Sequence, residues 1–598
     1  MDSSVQPSQE PVTSSPVQER GNGPPPVHPS RPSRHAYTSG SVPPKHNNRT
    51  LIICFDGTGD AYDADNSNVV KFCELLKKDD GEQQLVYYQS GIGTYTIPNY
   101  MTPVISGVSK VLDQMIAWNL DTHVQNGYEF LMQTYRPNDN ICIFGFSRGA
   151  YAARSLAGML HKVGLLPPHN FQQVPFAYRM FARDDPVGWA QSMAFRRAFC
   201  REVEIEFMGV WDTVSSVGII PRKLPFTTSN TLVRTFRHAL ALDERRAKFK
   251  ANTWNRPTEI DTKMATPPPT RAGTFSHLQR TWGKGKKPAA AKSSLPALFR
   301  NPSNGESTVR TSESSTADEM HKEDPTHQAI PDMFEQFFDG TSDHGDMDVQ
   351  HLLEQVFSQS GKHDKDTDIE EVWFAGTHCD VGGGSVKNET PHSLARISLR
   401  WMIRECFKTN SGIMFDADRL RGIGLDPDAL YPNVAPRPQA DLPDKHASLR
   451  SKPQSRSTWT ASLFRSSRRL EIPSTPSTPE STCVHDRYYG DLLVGTEEGE
   501  DLLDCLEPAY DQLELRKGWW ILELLPLTFK VQLLNNEWKE WRGLNFGRPR
   551  EVPIEAQKKL GIKVHRTVKM RMDAAPSPGS SKRYVPRVQF HVEPTWVD

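Results

Sequence analysis

Three residues of this chain have side chains suited to acyl transfer, and each follows an apolar run. Ser147 lies in Gly145-Phe146-Ser147-Arg148-Gly149, after "ICIF" (141–144). Asp212 follows "VEIEFMGVW" (203–211), and His378 follows "EVWFAGT" (371–377). A serine hydroxyl is a poor nucleophile, so an imidazole must take its proton. A carboxylate must then fix the imidazole tautomer and stabilise the imidazolium. The serine needs a tight turn, and Gly145 and Gly149 flank it because side chains there would crowd neighbouring elements. Ala150 and Ala153 permit close helix–strand packing. An oxyanion needs backbone N–H donors. The N–H of Arg148 is one, and the Asp56-Gly57-Thr58-Gly59 turn supplies a second from Gly57 or Thr58.

A G-x-S-x-G match alone is weak in a chain of 598 residues with 39 glycines, so plainer readings stand beside this one. Asp212 also suits an N-cap or an Asx-turn. His238, His392 and His565 compete for the base, but none follows so clear a strand. Asp380 is a rival acid, or it holds the "DVGGG" loop (380–384). Asp56, Asp380 and Arg148 are candidates to line the site, and Arg148 either attracts an anionic head group or pairs with a nearby carboxylate. "FDGTG" (55–59) invites comparison with phosphatases whose first strand ends in D-x-D-x-T, but the acceptor position is Cys54. Asp56 then orders its turn, with a divalent ion between Asp56 and Asp60 as the lesser reading. We assign no metal site and no cofactor.

The elements that must carry these residues alternate. "TLIICFDGTG" (50–59), "QLVYYQSGIG" (84–93), "NICIFGF" (140–146), "VEIEFMGVWDTV" (203–214) and "IEEVWFAGTHCDVGG" (369–383) read as strands followed by turns. Residues 68–78, after a Ser67 N-cap, together with 109–135 and 148–164, read as helices. Uniform apolar runs fit strands buried on both faces, so the fold class is α/β: a largely parallel sheet covered by helices. Ligands bind at the carboxyl ends of such strands. The chain order Ser, acid, His is that of α/β-hydrolases.

Pro- and Ser-rich stretches at 1–48, about 257–330 and 436–484 cannot bury enough apolar surface to order, and read as a disordered tail and inserts. The expected organisation is a catalytic domain over 49–435 and a C-terminal region, 485–598, that packs on it or completes it. The eight cysteines form no CxxC and read as free thiols of an intracellular protein. A net charge of -1 argues against a nucleic-acid partner. No secretory signal or membrane-spanning run is visible, which predicts a cytoplasmic protein.

Taken together, "ICFDGTGD", "YYQSGIGT", "IFGFSRGAYAARSLAGML", "GVWDTVSSVG", "HALALDERRAKF" and "VWFAGTHCDVGGG" resemble the catalytic domain of the class-one phospholipase effectors of bacterial type VI secretion. That family is widespread in fungi. "KGWWILELLPL" and "VHRTVKMRM" resemble its fungal branch. The resemblance spans about residues 48 to 410. It implies an α/β-hydrolase core and a triad whose serine, acid and histidine are Ser147, Asp212 and His378. The long inserts depart from the bacterial proteins, so the reaction class carries over better than the substrate.

Two segments are read plainly. "HALALDERR" (238–246) is an amphipathic helix with solvated charges, rather than a pocket lining formed by His238, Asp243 and Arg245 or Arg246. "GWWILELLPLTF" (518–529) is core, rather than a lipid-boundary segment. Thr475-Pro476 and Thr478-Pro479 are candidate phosphorylation sites. The sequence thus predicts a serine ester hydrolase, a phospholipase or lipase acting on acyl esters, with peripheral membrane contact. The alternative is a catalytically silent fold used for binding or signalling. Oligomeric state and head-group preference are left open.

Overall fold

The computed structural model describes residues 40–58, 60–91, 120–214, 224–227, 229–254, 367–438, 448–451, 496–532 and 538–598. The readings of residues 1–39, of the 257–330 insert and of Thr475 and Thr478 lie outside the described residues, as does the 109–119 part of the second helix.

Eight strands form one sheet: β1 (Thr50–Phe55), β2 (Gln84–Gln89), β3 (Asn140–Phe146), β4 (Ile205–Trp211), β5 (Val233–Ala241), β6 (Asp368–Phe374), β7 (Lys563–His565) and β8 (Thr595–Val597). Every pairing in it is parallel, and the spatial order is β2-β1-β3-β4-β5-β6-β7-β8. This is the α/β architecture that the uniform apolar runs require. Because side chains alternate along a strand, each run feeds two cores. Leu51, Ile53, Phe55, Ile141 and Ile143 pack on one face beneath α2 (Leu120–Thr134), α3 (Ser147–Val163) and α4 (Val174–Ala182). Ile52, Cys54, Cys142 and Phe144 pack on the other with α1 (Asn68–Leu75) and, further along, α5 (Leu394–Lys408) and α6 (Glu497–Leu506). At α1 the Ser67 side chain accepts from Val70 N, capping the first turn.

The chain leaves β1 for one edge, β2, and then returns to β3 on the other side of β1. That reversal makes the carboxyl ends of β1 and β3 a topological switch point, the usual ligand position in open α/β sheets. Ser147 begins there. The short strands β7 and β8 add to the β6 edge, so the C-terminal segment contributes to the same sheet.

Two plain readings are corrected. Residues 238–241 belong to strand β5, not to a helix, and the charges that follow are buried: Asp243, Glu244 and Arg246 are at most 5% exposed. A central strand buried on both faces reads like a buried helix segment, because neither shows a two-residue alternation. The 518–529 stretch is divided: Leu522 and Phe529 are buried as the core reading expects, but Trp520, Ile521 (53%), Leu524 (56%) and Leu525 are exposed, and Glu523 is buried.

Candidate active site

Strand β3 ends at Phe146 and α3 begins at the next residue. Ser147 therefore sits at the junction, with φ of 58°, a left-handed value that costs a non-glycine residue about 1 kcal/mol. The flanking glycines are needed for backbone approach. A Cβ on Gly145 would lie 2.7 Å from the backbone of Ala150. A Cβ on Gly149 would overlap the carbonyl oxygens of Phe55 and Asp56. The end of β1 is thus pressed against the first turn of α3.

Asp212 follows β4 at φ 42° and is fully buried. His378 opens a short helix, His378–Gly382, capped reciprocally by Thr377 and Asp380. The structure brings these three side chains together. His378 Nε2 lies 2.8 Å from Ser147 Oγ, and His378 Nδ1 lies 2.5 Å from Asp212 Oδ2. With the proton on Nδ1, the imidazole donates to the carboxylate and accepts from the hydroxyl. Phe146 and Phe249 hold the ring, at centroid distances of 4.6 and 4.8 Å.

Burial lowers the pKa of His378, and the Asp212 carboxylate only partly offsets this, so the neutral ring is favoured. Burial would raise the Asp212 carboxyl, but Arg550 and then His378 overcome it and hold the group well below the usual carboxylate range. Arg550 grips both oxygens, at 2.5 and 2.8 Å, and the backbone N–H of Ala241 donates to Oδ1 at 2.9 Å.

The remaining predicted residues divide. Asp56 accepts from Ser67 Oγ (2.6 Å), Tyr88 Oη (2.7 Å) and its neighbour Gly57 N–H (2.8 Å), so it orders the turn. The Thr58 hydroxyl is buried and meets no hydrogen-bond partner among the described residues. Asp380 is turned to its own loop, accepting from Thr377, Ser385 and Tyr510 N. Arg148 is pulled down to about 10 by burial, with Asp60 opposing and Arg246 adding to the effect. Both Asp60 and Arg246 are therefore its electrostatic neighbours.

The rival histidines are engaged elsewhere. His238 Nε2 accepts the backbone N–H of Thr213 (3.0 Å), and its Nδ1 pairs with Glu371 (2.9 Å). His565 caps a helix through Thr567. His392, Glu500 and Asp504 lie close enough to hold an ion, but Arg396 and Arg400 pair with those carboxylates.

Sequence reasoning missed Arg550, and it missed the Glu244–Arg246 pair. Burial would raise Glu244, but Arg246, Arg550 and His378 together outweigh it and hold the group at about 2; it accepts the backbone N–H of His378 at 3.2 Å. Arg246 pairs with it at 2.8 Å and covers the Phe249 ring. The buried "DERR" charges after an apolar run were the available signal; Arg550, in "FGRPREV", had none.

Comparison with known proteins agrees with the resemblance. The uncharacterized protein YEL023C of Saccharomyces cerevisiae is 28% identical over 565 residues, covering 84% of this chain and 77% of its own. Among solved structures, an uncharacterized protein from Pseudomonas aeruginosa aligns at 15% identity and a TM-score of 0.27, over 61% of this chain and 46% of its own. The Tle1 effector bound to the VgrG spike of the type 6 secretion system aligns at 19% identity and a TM-score of 0.21, over 36% and 49%. This chain thus spans less than half the length of either solved structure, and scores so low carry no argument. The model of the type VI secretion Tle1-like phospholipase effector catalytic domain matches residues 49–405, more than half of the chain. The chain belongs to the Tle1-like phospholipase effector catalytic-domain family.

Proposed function

We propose that the protein is a serine hydrolase that cleaves acyl esters of phospholipids or related lipids. The observation that carries this reading is the hydrogen-bonded line from Ser147 Oγ through His378 to Asp212, starting at a strained strand-to-helix junction. His378 Nε2 takes the hydroxyl proton as Oγ attacks the acyl carbonyl, and Asp212 holds the resulting imidazolium. His378 returns the proton to the departing alcohol, leaving an acyl-serine. Water, deprotonated by the same ring, then releases the fatty acid. The oxyanion is met by the N–H of Arg148 and by the Gly57–Thr58 turn. Because Gly57 N–H is occupied by Asp56, Thr58 is the better donor of the two.

Contact with a lipid surface is assigned to the segment after Arg516. Trp520, Ile521, Leu524 and Leu525 are exposed there, next to the exposed cations Arg516 and Lys517. The segment is rigidly pinned. Its buried Glu523 accepts from Ala247 N (2.6 Å), Asn545 Nδ2 (2.6 Å) and Gly547 N (2.8 Å). It also adjoins the site, since Trp519 packs on Phe249 and Phe249 packs on His378. Among the described residues no helix is long and apolar enough to cross a membrane.

A fluorophosphonate probe tests the nucleophile. It is expected to label the wild-type chain and not Ser147→Ala. A folded wild-type chain that never labels would instead favour a catalytically silent binding module. Product analysis on a phospholipid panel then decides between acyl-ester and phosphodiester cleavage.

A further inference from the structure

We propose, resting on the hydrolase reading above, that Arg550 is a positioning residue: it holds both oxygens of Asp212 and thereby keeps His378 ready as a base. The donor inventory of Arg550 is complete. Nη1 donates to Asp212 Oδ1 at 2.5 Å and to Ala241 O at 3.2 Å. Nη2 donates to Asp212 Oδ2 at 2.8 Å and to Phe249 O at 2.6 Å. Nε donates to Phe249 O at 2.9 Å. All five guanidinium hydrogens are spent within one buried cluster, in the planar fork that suits a carboxylate.

Two consequences follow. First, Asp212 has no solvent, and a buried lone carboxylate beside a histidine has two ways to shed its charge: it takes a proton itself, or it draws one onto the ring. The arginine supplies the compensating charge, so the carboxylate stays ionised while the ring stays neutral. The two groups share Asp212 Oδ2, so Arg550 dilutes the hold of Asp212 on the His378 proton. Second, Arg550 fixes the backbone of Phe249, whose ring packs against His378. The other charges facing His378 are Glu244, which accepts its backbone N–H, and Arg246, paired to Glu244. Lys250 is the further cation near Arg550. Arg550 lies outside the matched 49–405 segment, so the site is incomplete without the C-terminal part of the chain.

The test uses the full chain with Arg550→Gln and Arg550→Lys. Two quantities are read: the His378 titration by histidine NMR, assigned with His378→Asn, and the pH profile of kcat/KM on the soluble ester p-nitrophenyl butyrate. Arg550→Gln is expected to raise the His378 titration, and the acid limb with it, by about one unit. Its plateau rate is expected to fall about tenfold or more. Arg550→Lys keeps the charge and loses the fork, so its limb stays near wild type while its rate falls. A purely structural role would lower the rate or the melting temperature and leave the titration unmoved. A folded Arg550→Gln chain with an unmoved His378 titration overturns the proposal. If Arg550→Gln does not fold, Arg550→Lys decides: a wild-type plateau rate there overturns it. A wild-type chain inactive on all esters sinks the hydrolase reading alone, because the NMR titration still reports whether Arg550 governs His378.

Discussion

Among the described residues, two buried histidines each pair with a carboxylate at neighbouring strands, and the two rings differ in what their second nitrogen faces. His378 and Asp212 meet at 2.5 Å, and His238 and Glu371 meet at 2.9 Å. Burial lowers both rings, and in each case the carboxylate pulls the other way. The difference lies at Nε2. In His238 that nitrogen accepts the backbone N–H of Thr213, so every polar atom of the ring is used by the fold. In His378 it faces the hydroxyl of Ser147, a group whose proton can be moved. A histidine beside an acid is therefore common structural material, and the third partner distinguishes a base from a brace.

Removing each ring in turn separates the two most sharply. His378→Ala is expected to lower kcat on a soluble ester by about 10⁴-fold. Stability should fall as well, because the ring is packed between Phe146 and Phe249, so the rate is the quantity that separates the two rings. His238→Asn should keep kcat within about threefold and lower stability by ~2 kcal/mol, since it leaves Glu371 and Thr213 without their shared partner. Rates and urea midpoints of both variants check this. A large rate loss in His238→Asn with unchanged stability would reverse the assignment of the two rings.

The pairs also differ in what lies beyond them. From His378 a line of rings, Phe249 and then Trp519, leads out to the exposed Trp520–Leu525 segment. His238 neighbours Phe236, which packs on Trp254 within the fold. If lipid reaches the site along the first route, Trp520→Ser with Leu524→Ser should lower turnover on anionic phospholipid vesicles about tenfold, roughly 1.4 kcal/mol. The same variant should keep its rate on a soluble ester. Equal losses on both substrates would assign the segment to stability rather than to the interface.

Part of this comparison was legible in the sequence. Ser147, Asp212 and His378 each follow an apolar run, because strands buried on both faces carry uninterrupted apolar residues, and their carboxyl ends are where ligands usually bind. The same uniformity hid β5, whose Arg237 and His238 look solvated until their partners are known. Arg237 pairs with Glu405, 168 positions away, and His238 with Glu371, 133 away. Arg550 was hidden for the same reason, since it meets Asp212 across 338 positions. Burial of a charge depends on a partner, and no local pattern records one so distant. Glu523 shows the converse. Its place inside an apolar stretch made the segment ambiguous, and its three backbone and amide donors decide which side chains face out.

The smallest effect is one of pH, and it tests whether burial acts on the two rings alike. Each ring has a folded pKa below the ordinary histidine value of about 6.5. Between that value and the folded pKa the unfolded chain binds the proton first, so each ring's contribution to stability is present above about 6.5 and is lost as pH falls. Buried carboxylates such as Asp243, raised by burial, pull in the opposite direction, so the wild-type slope alone does not isolate a histidine. The difference between wild type and His238→Asn does. The ~2 kcal/mol cost of that substitution should be full at pH 7.5 and shrink toward pH 5.5, as wild type loses the advantage of a neutral ring. For His378 the same depression appears in the rate, since only the neutral ring accepts the serine proton. The acid limb of kcat/KM should then fall below about 6.5. A limb above 7 would mean that Asp212 holds the proton on His378 more strongly than burial and Arg550 together release it.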